Sequence, residues 1–495
     1  MEGILLLVAI LLPAVGSLML VFLPWLNQSR KDRNIFVAAI MLLECLVVLF
    51  VAFDAQRTIV LFEMTKQLPI ALRSDGTSRV FSAVMVLMWT ISGFYSFEYM
   101  KHEQNEKTYY AFYLMTLAAL MALSLSGTMV TMYLFFEFMT LISVPLVLHS
   151  RTKEAVAAGI KYLIYSVAGA TMGLLGIFML TPNISSPYFV EGGSLLVDNL
   201  NISTTGMQVI VLITIIGFAT KAGMFPMHGW LPTAHPVAPA PASAVLSGVI
   251  TKAGVLAIFR MIFYVIGPDF IRGNWVQWTL LGCAAITVFM GSILALREKV
   301  LKKRLAYSSV SQVSYVLSGL FILDTMALNG ALLQIVFHAL TKDALFLCAG
   351  TIIYKTGVTR VDEMQSIGKS MPWTMWMFTI CAISLVGIPP LGGFIAKWYI
   401  AEGALISGTE VYSWLIPIVL LVSAMLTAGY LLPPAVSAFF GGMGQSEPVN
   451  QFKEKLDPAP IMTVPVLILT LAIAVLGIFP GQMIEAFTAL ANSLF

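Results

Sequence analysis

The 495 residues are 59% hydrophobic and only 11% charged, with a formal net charge of +3. That leaves too little polar surface to cover a soluble globule of this length, so the chain belongs in a bilayer. No nucleic-acid partner is expected.

A span needs about 20 apolar residues, and runs of that kind centre near residues 13, 43, 88, 116, 138, 169, 214, 251, 285, 312, 341, 381, 424 and 471. The fold class read from them is an all-α polytopic membrane protein of about 14 helices. The first run, from about Ile4 to Leu23, follows Glu2 and lacks a small-residue cleavage site, so it reads as a retained helix. Glu44 lies in the second run, in MLLECLVV, where function and packing are equally open.

Between the runs the basic residues alternate. One set of loops holds Arg30, Lys31 and Arg33, then Lys101 and Lys107, Arg151 and Lys153, the run from Arg297 to Arg304, then Lys355, Arg360 and Lys369, and finally Lys453 and Lys455. The other set is nearly free of them: residues 181–206 carry Glu191 and Asp198 but no Lys or Arg, and Arg57, Lys66, Arg73, Arg79 and Arg272 are the exceptions. The positive-inside bias makes the first set cytoplasmic and predicts both termini outside.

Ionisable residues recur inside the later runs, where a charge costs at least about 2.5 kcal/mol and marks a functional candidate. Glu137 sits near the middle of the fifth helix in TMYLFFEFMTLIS. Lys252 lies in ASAVLSGVITKAGVLAIF, about 16 Å from a helix start near Pro241, too deep to snorkel. His338 and Lys342 are four residues apart on the eleventh helix and share a face, while Asp343 faces elsewhere. His149, His228 and His235 fall near the cytoplasmic edge, and the latter two flank a broken helix where they suit an entrance path as well as interfacial structure.

Two helices read as interrupted. In GFATKAGMFPMHGWLP, Pro226 removes an amide and obstructs the carbonyl of Ala222; in SLVGIPPLGGFIAKWY, Pro389 and Pro390 do the same to Leu385 and Val386. Such breaks are tolerated at membrane depth only where protein or a hydrated cavity satisfies the backbone. Lys221 precedes the first break and Lys397 follows the second. If helices four to eight and nine to thirteen are five-helix units, the broken helix is fourth in both, and the odd number inverts the second unit relative to the first. The predicted divisions are 1–108, 109–265, 266–440 and 441–495. The four cysteines, Cys45, Cys283, Cys348 and Cys381, stand singly in apolar runs, so neither metal nor cofactor is expected.

The run KAGMFPMHGWLPTAHPVAPAPASAVLSGVITKAG, from Lys221 to Gly254, together with FFEFMTLIS, HALTKDALFL and GIPPLGGFIAKW, resembles the proton-conducting antiporter-like subunits of respiratory complex I, related hydrogenases and Mrp cation/proton antiporters. The resemblance implies that Glu137 and Lys221 are a coupling ion pair, Lys252 and His338 the central relay, Lys342 its continuation and Lys397 the exit. Thr233 stands where complex I members often carry an acid, AHPVAPAP is closer to Mrp and hydrogenase versions, and the chain ends soon after its last helix. These features point to a protein similar to the D-type component of Mrp antiporters, with other membrane subunits as partners.

A Glu–Lys pair about 4 Å apart at an effective dielectric near 20 is worth about 4 kcal/mol, or about three pKa units. Making or breaking it would decide whether Lys221 keeps its proton or passes it to Lys252. The expected order is Lys221, Lys252, His338, Lys342, Lys397. A redox-driven complex with the same proton path is the alternative. The sequence leaves open whether Na+ passes through this chain.

Overall fold

The polar breaks between apolar runs supply the helix starts. Ser29, Asp75, Thr128, Thr152, Ser203, Asn274 and Asp324 each accept a hydrogen bond from a backbone N–H of the first turn that follows, offsetting donors that the helix itself leaves unpaired. The computed structural model describes residues 3–441 and 455–495; Lys453, counted with the cytoplasmic loops, lies outside them.

Among the described residues, eleven helices are long and apolar enough to cross a membrane. Three more rods complete the predicted order: Glu106–Ser124, Leu301–Phe321, and the two-piece Pro372–Val386 with Gly392–Ile406. In sequence the first six are Ile4–Phe22, Arg30–Phe53, Gly76–Tyr99, Glu106–Ser124, Met129–Val147 and Lys153–Leu180. The seventh, Thr204–Ala222, breaks and resumes as Leu231–Val237; the eighth runs from Ala240 to Ile266. Then come Trp275–Arg297, Leu301–Phe321, Thr325–Thr356, the broken twelfth, Val411–Phe440 and Pro460–Ile478. The chain is a multi-pass all-α membrane protein.

The eighth and eleventh helices form the centre. Burial covers 100% of the most apolar window of the eighth and 94% of that of the eleventh, against 33% for the first. Close packing depends on small residues: a Cβ on Gly217 would stand 2.5 Å from the carbonyl of Gly169 on the sixth helix, and one on Gly254 would stand 2.6 Å from the amide of Ala222. Backbones therefore touch where the sixth, seventh and eighth helices cross, as is common between membrane helices.

Both breaks are built alike. The first half of the seventh helix ends at Gly223, φ 81°, and that of the twelfth at Gly387, φ 92°, a left-handed turn that glycine adopts without a Cβ penalty. Each is followed by the prolines that stop the helix.

Several features are not visible in apolar runs. The segment carrying Arg57, Lys66 and Arg73 forms an antiparallel hairpin, Arg57–Glu63 with Pro69–Ser74. A short amphipathic helix, Gly481–Asn492, follows the last span and packs on the eleventh, where Asn329 Nδ2 donates to Thr488 Oγ1 at 2.5 Å. The eighth helix contains two π-helical stretches, Leu246–Ile250 and Met261–Ile266. Around the second, the amides of Val190, Gly192 and Ser194 bond the carbonyls of Tyr264, Phe263 and Val265, so the 181–206 loop is tied to the core.

At that end Arg260, 1% exposed, makes a two-armed bond to Asp75 at 2.7 and 2.8 Å and lies 4.9 and 4.5 Å from the ring centres of Phe189 and Tyr264. Removing one partner of a buried pair costs about 3–5 kcal/mol because the other charge is stranded. Arg260→Met is accordingly expected to lower the unfolding midpoint in detergent, and adding Asp75→Asn should recover part of the loss. An unchanged midpoint for Arg260→Met would show the pair to be dispensable.

Candidate functional site

Lys221 is in the last turn of the first half of the seventh helix, where the negative end of the helix dipole favours a cation. Its ammonium, 1% exposed, donates to Tyr162 Oη at 3.0 Å and Ser166 Oγ at 2.9 Å, with the Tyr162 ring centre 4.4 Å away. Tyr162 Oη in turn shares a hydrogen bond with Ser143 Oγ at 2.7 Å.

Glu137 is half-buried at the edge of the fifth helix, beside exposed Leu134, Phe138 and Leu141. Its Oε1 is buried and has no hydrogen-bond partner. The expected contact pair is not made: among the described residues no ion pair joins Glu137 to Lys221, because hydroxyls of the sixth helix hold the ammonium instead. The two groups interact through space without touching.

Lys252 and His338 do touch. The Lys252 Nζ lies 2.5 Å from His338 Nδ1 and donates to the Ser247 carbonyl at 2.9 Å, a carbonyl in the first π-helical stretch. Both side chains are 1% exposed. An ammonium and a neutral ring nitrogen in hydrogen-bond contact form a donor–acceptor pair across which a proton can move.

Asp343 does face elsewhere, toward the third helix, where Ser92 Oγ donates to it at 3.2 Å. Its Oδ1 has no hydrogen-bond partner, and its charge reaches Lys252. The carboxylate occupies the space a Cβ at Gly248 would need.

His338, whose Nε2 lacks a hydrogen-bond partner, lines a small cavity with Gln312, Gln334, Thr341, Ser384 and Lys397. The cavity has about 10 Å³ of room, the order of a single water. Gln334 Nε2 donates to Gln312 Oε1 at 3.1 Å, while Gln312 Nε2, Gln334 Oε1 and Ser384 Oγ are buried without partners. Polar atoms thus connect the imidazole to Lys397.

Lys397 satisfies the broken twelfth helix itself. Its ammonium donates at 2.6 Å to the carbonyl of Leu385 and at 2.9 Å to that of Val386, the two that Pro389 and Pro390 obstruct. It also lies 5.0 Å from the Tyr315 ring centre.

Lys342 falls outside the expected order of sites. It is fully buried, but it bonds the Leu305 carbonyl at 3.0 Å and Ser308 Oγ on the tenth helix, and it does not line the cavity between His338 and Lys397. Its place is beside the central pair, not between His338 and the exit.

His228 is half-buried in the first break, 6.2 Å from the Phe225 ring, with Nδ1 unpartnered. His235 is 0% exposed, not interfacial; its ring stacks on Phe346 at 4.7 Å, and neither nitrogen has a hydrogen-bond partner. Buried His149 sits just beyond the fifth helix; desolvation lowers its pKa, against a bond its ring donates to the Gln104 backbone carbonyl. Glu44 is completely buried with both oxygens unpartnered. Lys302 and Arg304, counted with the basic loops, are buried in the tenth helix because backbone carbonyls recruit them: Pro236 and Ala238 for Lys302, Glu298 and Tyr430 for Arg304.

Sequence reasoning passes over Tyr162, Ser166, Gln312, Gln334 and Ser384. A signal exists in AYSSVSQVSYVLS, where the tenth helix carries a density of hydroxyl and amide groups unusual for a span.

Residues 126–427 match the family model for the NADH:quinone oxidoreductase/Mrp antiporter transmembrane region. The N subunit of NADH-quinone oxidoreductase from Desulforudis audaxviator is 34% identical over 392 residues, 77% of this chain and 76% of that one. The D component of the Na(+)/H(+) antiporter from Alkalihalophilus pseudofirmus is 30% identical over 484 residues, 95% and 94% of the two chains. In fold, the chain is similar to one in the Mrp complex of a Dietzia species, with TM-score 0.83, 21% identity and coverage of 98% and 97%. A chain of respiratory complex I from Thermus thermophilus gives TM-score 0.81, 20% identity and coverage of 99% and 100%.

Proposed function

The chain belongs to the NADH:quinone oxidoreductase/Mrp antiporter transmembrane family, and from that premise we propose that it is the proton-translocating subunit of a multisubunit Na+/H+ antiporter. The near full-length similarity to the D component of such an antiporter supports this reading. Its partners are other membrane subunits, and its place is the prokaryotic plasma membrane with both termini outside. The five-helix units fall at 109–265 and 266–440, with 1–108 and 441–495 flanking them.

The Lys252–His338 contact carries the reading. A proton delivered to His338 Nδ1 from Lys252 releases the one on Nε2 into the polar cavity that Lys397 also lines. Lys221 is the gated donor at the other end. In one state it rests on Tyr162 and Ser166; in the other it pairs with Glu137. A pair energy of about 4 kcal/mol is comparable with the roughly 2.3 kcal/mol that one charge gains across 100 mV, so the switch can be traded against a membrane potential.

Glu137→Ala or Lys221→Ala in the assembled complex is expected to abolish Na+-dependent proton exchange in reconstituted vesicles. Exchange at the unmodified rate would refute the switch.

The higher identity to the oxidoreductase N subunit favours a second reading, in which the same path serves a redox-driven pump. Co-purifying subunits separate the two: iron–sulfur or nickel proteins mean a redox pump, and only membrane proteins mean an antiporter.

A further inference from the structure

Lys342 is left without a place in the line from Lys221 to Lys397, and its surroundings point away from that line, toward the basic edge of the bundle. The helix whose Leu305 carbonyl and Ser308 hydroxyl hold it also carries Lys302. Six residues, about 9 Å along the helix, separate Lys302 from Ser308. Lys302 lines a cavity of about 170 Å³ together with Tyr99, Glu103, Thr359 and the stretch from Pro236 to Pro239 at the end of the resumed seventh helix. This space lies at the seam between the two five-helix units.

Its lining suits proton uptake. Glu103, in the loop before the fourth helix, is half-buried; desolvation pushes its carboxyl up, while Lys302 and His102 draw it back down. Lys302 is 5% exposed and bonds the Ala238 carbonyl, with that of Pro236 at 3.4 Å. Next to Pro236 is His235, fully buried, with both ring nitrogens unpartnered and within electrostatic reach of Lys302 and Lys342. The His235 ring stacks on Phe346, one helical turn from Lys342.

We propose that the Glu103–Lys302 cavity is the proton mouth of this chain and that it feeds Lys342 through His235, joining the relay at its middle. The inference rests on the relay reading of Lys252, His338 and Lys397. The step is proton movement alone: a proton arriving from the aqueous side enters the mouth on a hydronium ion, His235 accepts it on one ring nitrogen and releases one from the other, and the Lys342 amine takes it. A charge on Lys342 repels one on Lys252. Uptake at the mouth therefore drives the Lys252 proton to His338 and on toward Lys397, and the Lys342 proton then refills the emptied Lys252 amine.

The test uses the assembled complex in vesicles, with the four native cysteines replaced by alanine and Glu103→Cys introduced. A charged, membrane-impermeant thiosulfonate on the basic-loop side should lower exchange at least fivefold, and a reductant should restore it. Lys302→Gln, which keeps a donor for the Ala238 carbonyl, should lower exchange by a similar factor. If both leave exchange unchanged while Lys252→Met abolishes it, the mouth is elsewhere and the relay stands. If Lys252→Met also leaves it unchanged, the relay itself fails and the mouth with it. Should Lys302→Gln not assemble, the thiol block decides.

Discussion

Lys252→Met is expected to reduce proton exchange by about two orders of magnitude or more while the complex still assembles. A positioned acid–base group contributes typically about 10²–10⁴ to a proton-transfer rate, and the structure offers His338 Nδ1 no other donor among the described residues. Methionine fills much the same volume without a buried charge, so loss of transport would not reflect loss of packing. Lys252→Arg sharpens the test, because a guanidinium keeps the charge but does not release its proton in this pH range. Both variants should be inactive in a vesicle assay that follows the collapse of an imposed pH gradient with a fluorescent dye.

The second large effect is at Lys397, where two roles meet. Its ammonium is the proposed exit group, and it also caps the Leu385 and Val386 carbonyls. Lys397→Met should abolish exchange and also lower the unfolding midpoint, since each buried acceptor left unpaired costs about 1–3 kcal/mol. Lys397→Arg should restore most of the stability, because it still donates to the carbonyls, and none of the transport. Recovery of transport by arginine would reduce Lys397 to a structural cap.

Much of this is legible in the sequence because the bilayer makes burial expensive. Lys221, Lys252, His338, Lys342 and Lys397 stand out for the simple reason that no apolar run needs them, and all five lie in or beside protein-lined polar contacts. The prolines at 226, 389 and 390 locate the breaks, since a missing amide is a local property of the chain. What pairs with what is not local. Helical spacing puts Lys342 next after His338, yet its bonds go to the tenth helix, a choice set by how the tenth and eleventh helices pack.

The expected contact between Glu137 and Lys221 fails for a similar reason. Charge complementarity says they should meet, but Tyr162 and Ser166 are nearer competitors and carry no charge to announce them. Lys302 shows the opposite failure: in a run of basic residues it looks like an inside loop, whereas the carbonyls of Pro236 and Ala238 draw it into the protein. The hairpin at Arg57–Ser74 and the second π-helical stretch of the eighth helix are tied by backbone hydrogen bonds to the segments beside them, which no apolar run encodes.

The most direct measurement of the central claim is proton flux through the reconstituted complex carrying His338→Gln. Glutamine can still accept a hydrogen bond from Lys252 and fill the site, but it cannot take a proton on one atom and release it from another. The account predicts an assembled complex with normal unfolding behaviour and no exchange above the background of empty vesicles. Exchange at the unmodified rate would mean that protons do not pass through the Lys252–His338 contact.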